Sequence, residues 1–156
     1  MKIIKPNTDQ ISQKRPYIFL AGSIEQGKAE HWQTYVEKKF EKYPGTIYNP
    51  RRDDWNSDLG QSLDNLDFVH QVNWELDALE QSDLIMMYLD PATQSPITLL
   101  EFGKFYDSGK LVIACPEGFW RRGNLEVMCQ RAYIPLRNSL DELIEAVELI
   151  LPYYHL

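Results

Sequence analysis

The chain has 156 residues, 44% of them hydrophobic and 25% charged, with a formal net charge of −7. That length suits one domain spanning residues 1–156, able to bury roughly 70% of the surface its unfolded chain exposes. The acidic balance excludes a general binder of nucleic-acid polymers, which needs a basic face for phosphates, while leaving room for one local basic pocket.

In chain order, residues 1–15 form a polar lead-in. "MKIIKPNTDQISQKRP" lacks the continuous apolar core of a secretion signal, and no later run would span a bilayer, so a cytoplasmic protein without membrane contact is expected. "YIFLAGS" (Tyr17 to Ser23) is a short apolar run that hands over to a loop, as a buried parallel strand does. Lys28 to Lys42 reads as a helix with Trp32, Tyr35, Val36 and Phe40 on its apolar face, stopped by Pro44-Gly45. "TIYNP" (Thr46 to Pro50) is a second strand. A helix follows from about Leu66 to Ser82, with Val69, Val72, Leu76 and Leu79 at helical spacing, and "DLIMMYL" (Asp83 to Leu89) is the next strand. A further helix begins at Ser95 or Thr98 and ends near "DSGK", where Gly109 suits a position just past the cap. "LVIAC" (Leu111 to Cys115), a helix over Asn124 to Arg131, the strand "AYIPL" (Ala132 to Leu136) and a last helix capped by Ser139 complete the chain. Cys115 and Cys129 lack zinc-type spacing and are expected as reduced core thiols, with no metal.

Five strands alternating with helices predict an α/β domain, a flavodoxin-like or Rossmann-like three-layer sandwich around a five-stranded parallel sheet. Ligands of such folds sit at the carboxyl ends of strands near the switch in strand order. The loops "AGSIEQG", "NPRRDDW" and "DPATQSPITLLE" all start there and are expected to converge.

Each loop has a plain and a functional explanation. Gly22 and Ser23 either make an ordinary strand-to-helix turn or let the backbone approach an anion. Arg51 and Arg52 either pair with Asp53 and Asp54 or hold a phosphate or carboxylate, with Trp55 stacking on a planar ring. Glu75 lies at the margin of an apolar helix stripe, where it faces either solvent or a cleft. In "SPITLLEFGKF", Glu101 either closes a capping box with Thr98 or serves as a charged nucleophile, its pKa kept low by the start of a helix. Gly103 would let that helix approach the sheet.

The order "FLAGSI", "NPRRDDW", "WELDALEQSDLIMMYL", "SPITLLEFG" resembles the nucleoside 2-deoxyribosyltransferase-like superfamily, from about Ile18 to Asn124. The resemblance implies a flavodoxin-like domain acting on the N-glycosidic bond of 2′-deoxynucleosides or their 5′-monophosphates, with no cofactor. Glu101 matches the family nucleophile that forms a covalent glycosyl-enzyme, and Glu75 matches the carboxylate that positions sugar and base. Asn124 matches an Asn that reaches a neighbouring subunit's sugar, which implies a homodimer or higher homo-oligomer with shared sites.

The "GSI" of Gly22, Ser23 and Ile24, with Ser95 six residues before Glu101, resembles the deoxynucleoside 5′-monophosphate N-glycosidase branch, where both serines serve the phosphate. Arg51 or Arg52 would add charge. Asp53, Glu75 and Asp90 remain alternatives for protonating the departing base, and Trp55 or Trp74 for walling it. Two positions depart from the family: Phe19 replaces a common Tyr on the first strand, and Glu75 replaces a common Asp. A nucleotide sensor without turnover, or a hydrolase of a related riboside, is the alternative reading of the same cleft.

Overall fold

The computed structural model describes residues 1–6, 14–24, 31–52 and 60–154. Its elements are β1 (Lys2–Ile4), β2 (Tyr17–Gly22), α1 (Trp32–Phe40), β3 (Thr46–Tyr48), α2 (Leu66–Gln81) and β4 (Leu84–Tyr88). They continue through α3 (Pro96–Phe105), β5 (Leu111–Ala114), α4 (Arg122–Arg131), β6 (Leu136–Arg137) and α5 (Leu140–Ile150), and a 3-10 turn covers Leu151–Tyr154.

Six strands form one sheet in the order β1-β3-β2-β4-β5-β6, and every pairing is parallel. The expected α/β layering holds, with six strands in place of five. The extra strand lies in the lead-in. Lys2–Ile4 is too short to register as an apolar run, and it becomes a strand through pairing beyond β3, Ile3 opposite Ile47.

The strands alternate in the face they present, as the period of two requires. Phe19 and Ala21 of β2, Ile85 and Met87 of β4 and Ile113 of β5 join the core beneath α2, α3 and α4. Ile18, Leu20, Leu84, Met86, Val112 and Ala114 join the opposite core beneath α1 and α5. Because both faces are covered, the strands read as unbroken apolar runs. Cys115 and Cys129 are free buried thiols of the first core, and burial pushes both up to about 11.

Local corrections have local causes. Tyr35, expected on the apolar face of α1, is exposed and donates to Asp141 at 3.0 Å. Most of "AYIPL" closes α4 instead of forming a strand. Tyr133 takes φ 57° and Ile134 N–H returns to the Cys129 carbonyl, so pairing with β5 begins only at Leu136. Asn65 and Ser139 cap α2 and α5 through their side chains, accepting from Phe68 and Glu142 N–H.

Candidate active site

The sheet order reverses between β2 and β4, and their carboxyl ends meet there. Gly22 stands opposite Tyr88, and Ser23 N–H donates to the Tyr88 carbonyl at 3.2 Å. A Cβ at Gly22 would lie 2.3 Å from that carbonyl oxygen and 2.7 Å from the Trp32 ring, so only glycine fits. Trp32 Nε1 donates to the Ser23 carbonyl at 3.0 Å and pins the turn from the other side.

A cluster of hydroxyls fills the space below the next helix. Thr93 Oγ1 lies 2.8 Å from Ser23 Oγ and 2.7 Å from Ser95 Oγ, and the two serines also bond to each other. Asp90 N–H donates to Ser23 Oγ at 2.9 Å. All four residues are buried. Ser95 is the N-cap of α3 in left-handed conformation (φ 48°); its hydroxyl joins this cluster and makes no capping bond. Pro96 follows as the first helical residue.

That start point excludes the capping box. Thr98 is inside α3 and Glu101 stands in its second turn, so Glu101 has no cap N–H to bond. The same placement removes the expected low pKa, since the helix dipole acts within the first turn. Burial of the carboxyl, reinforced by nearby Glu75, instead pushes Glu101 up to about 8. Gly103 is also unlike its expectation. It is exposed, and a Cβ there would meet nothing within 4 Å, so it does not bring the helix closer to the sheet.

Glu101 opens into a pocket of about 740 Å³ between α2 and α3, a size ordinary for small-molecule sites. Gly22, Ile24 and Ser95 form one end; Phe68, Val72 and Leu76 of α2 face Ile97 and Leu100 of α3 across it. Leu76 and Val72, expected in the core, therefore line the cleft. Glu75 lies on the same wall, and its pKa is raised by burial, with a hydrogen bond from Gln71 opposing the rise. Two carboxyls in one largely apolar pocket cannot both ionise cheaply, and the charge of Glu75 adds to the rise at Glu101.

The remaining expected residues divide. Ser23 lies beneath the pocket floor and reaches it through Ser95. Asp90 is buried, its Oδ1 accepting from Ala92 N–H at 2.9 Å, and does not line the pocket. Arg51 is buried behind Ser23: its N–H donates to Asn49 Oδ1 at 2.9 Å and its guanidinium to Gln33 Oε1 at 3.2 Å. Arg52 is half-buried and Asn124 exposed on α4, neither lining the pocket. Asp53 and Trp55 lie outside the described residues. Trp74 does not wall the pocket; it packs on Phe19 and Tyr48, with ring centroids 6.5 and 6.2 Å away. Sequence reasoning passed over Thr93 and Gln71. The signal for Gln71 is its position one turn before Glu75, where i and i+4 side chains meet.

A hydroxyl-rich helix start and a paired carboxylate at the switch point set the context for comparison with known proteins. The family model described as nucleoside 2-deoxyribosyltransferase like matches residues 15–119. The chain belongs to that family. A search against curated individual proteins finds no match. The matched span covers β2 through β5 and thus contains Gly22, Ser23, Glu75, Ser95 and Glu101. Membership in the nucleoside 2-deoxyribosyltransferase-like family supports N-glycosyl transfer as the general chemistry and nucleosides as the ligand class. Among the described residues, no helix is long and apolar enough to cross a membrane, and no cluster of His, Cys, Asp and Glu has the makings of a metal site.

Proposed function

We propose that the protein cleaves or exchanges the N-glycosidic bond of 2′-deoxynucleosides or their 5′-monophosphates, with Glu101 as nucleophile and Glu75 as its acid partner. The observation that carries this reading is the pairing of the two carboxyls in one pocket at the β2/β4 switch point, close enough for Glu75 to raise the pKa of Glu101. Such a pair, with Glu101 pushed up to about 8 beside a second buried carboxyl, suits a reaction that needs one charged and one protonated group.

In the proposed reaction the C1′–N bond breaks and its electron pair leaves with the base, which takes the proton of Glu75. A carboxylate oxygen of Glu101 bonds to C1′. At rest Glu101, pushed up to about 8 by burial and by Glu75, holds its proton at neutral pH. Positive charge developing at C1′ favours ionised Glu101 and moves the proton to Glu75. Water or a second base then attacks C1′, returns a proton to Glu75 and frees Glu101, with net retention. Deoxyribose suits this route because it lacks the electron-withdrawing 2′-hydroxyl.

The start of α3 supports a 5′-phosphate at the other end of the pocket. Its N-terminal N–H groups favour an anion, and Ser95 lines that end with Ser23 and Thr93 behind it. Arg51 is tied to Asn49 and Gln33 and would act there through its charge and the Ser23 turn. Asn124 is exposed on α4, a position from which it would serve a neighbouring subunit's pocket in a homo-oligomer.

One observation favours a nucleotide sensor instead: Phe19 is fully buried against Trp74 and offers Glu101 no hydroxyl. The deciding experiment incubates the protein with each deoxynucleoside, its 5′-monophosphate and the matching riboside, with and without a second free base. Base release abolished by Glu101→Ala is the expected result, and base exchange would identify a transferase. Binding with every ligand recovered intact would establish the sensor.

A further inference from the structure

The amide of Gln71 on α2 is oriented by acceptors alone. Its Nε2 donates to Glu75 Oε1 at 2.6 Å and to the Pro50 carbonyl at 3.3 Å, and these use both amide hydrogens. Turning the amide over would set its oxygen against two oxygens, so the partners fix the assignment. The other amide atom bears the consequence. Among the described residues, Gln71 Oε1 is buried with no hydrogen-bond partner. An unpaired buried acceptor is destabilising, and this side chain tolerates one while keeping both donors on Glu75 and Pro50.

The two oxygens of Glu75 are therefore unlike. Oε1 receives an N–H and is held as an acceptor, so a proton bound by Glu75 belongs on Oε2. Resting on the glycosidic reading above, we infer that Gln71 is a positioning residue, holding Glu75 so that the proton handed to the departing base is carried on Oε2. The same amide links Glu75 to Pro50, which leads into Arg51 and Arg52.

Among the described residues, the titratable groups lining the pocket are Glu75 from α2 and Glu101 and Lys104 from α3. Lys104 is ion-paired with Glu80 at 2.8 Å, and Glu101 is the group whose pKa the charge of Glu75 raises. The Gln71 bond opposes the burial that raises the Glu75 pKa. Its loss therefore raises that pKa further.

Gln71→Met keeps a similar shape without hydrogens to donate. It is expected to lower kcat about tenfold or more with little change in KM, and to displace the acidic limb of the pH–rate profile to higher pH. A loss of kcat with an unmoved profile overturns the proposal.

NMR supplies a readout without turnover. In the Glu101→Gln protein, the carboxyl carbon of Glu75 should titrate at higher pH once Gln71→Met is added. Should that double variant fail to fold, Glu101→Gln alone suffices: the Gln71 side-chain N–H resonances must titrate with the Glu75 midpoint. Flat Gln71 resonances, or a Glu75 midpoint indifferent to Gln71→Met, overturn the assignment and leave the glycosidic reading standing. Coincident titration in a protein that cleaves no deoxynucleoside or deoxynucleotide overturns the assignment together with the reading beneath it.

Discussion

Glu101 holds its proton to about pH 8 because its carboxyl is buried and Glu75 stands nearby. Its folded-state pKa lies above its unfolded value, so the native protein keeps a proton that the unfolded chain has released. Stability is accordingly highest below about pH 4.5 for this group, falls as pH climbs toward 8, and levels off beyond. Glu101→Gln removes that dependence. It should abolish base release yet stabilise the protein above pH 8, on the order of 2–4 kcal/mol; denaturant melts at pH 5 and pH 9 measure the difference, which should shrink toward the acid end. Glu75→Gln separates the pair instead. With the like charge gone, the pKa of Glu101 falls, and the decline of kcat/KM expected above about pH 8 in the natural protein should disappear. The overall rate should drop about 10²- to 10⁴-fold for want of a proton donor. A preserved decline above pH 8 in Glu75→Gln would show that the carboxyls are not coupled.

At the scale of elements, the glycine that ends β2 and the glycine inside α3 contrast sharply. Gly22, ending β2, has the Tyr88 carbonyl where a Cβ would go. Gly22→Ala must therefore push β2 from β4 at the switch point, destabilising the protein by about 1–3 kcal/mol and deforming the pocket end. Thermal unfolding and activity should fall together. Gly103, inside α3, faces open space. There Gly103→Ala should gain about 0.5–1 kcal/mol from helix propensity with turnover unchanged. Loss of activity in a well-folded Gly103→Ala would mean that this face of α3 meets something beyond one copy of the chain.

For the whole molecule, one copy assembles the carboxylate pair and the hydroxyl cluster but leaves Asn124 exposed on α4, outside the pocket lining. If subunits complete each other's sites, specific activity should fall on dilution below the dissociation constant of the oligomer, and Asn124→Ala should lower kcat/KM without lowering Tm. Sedimentation velocity over the same dilution series checks the link. A monomer with concentration-independent activity would confine the site to the single chain.

Which of these features can be read along the chain depends on the distance over which their causes act. The parallel α/β layering was legible because a strand buried on both faces must be apolar throughout, as "YIFLAG" and "LIMMY" are, and because capped helices intervene. Ser139 capped α5 where expected, a contact spanning three residues. Glu75, Ser95 and Glu101 were singled out by motif and do line one pocket. Legibility ended where a partner distant in sequence decides the outcome. Lys2–Ile4 is a strand because Thr46–Tyr48 lies beside it, and Leu76 of α2 lines a cleft shared with Ile97 and Leu100 of α3. The proton affinity of Glu101 is the clearest case. Local sequence argues for a low pKa at a helix start, whereas desolvation and the field of Glu75 on another helix push it the opposite way. Periodicity and capping act within a few residues and are written in order along the chain; burial and charge coupling are properties of what the fold brings together.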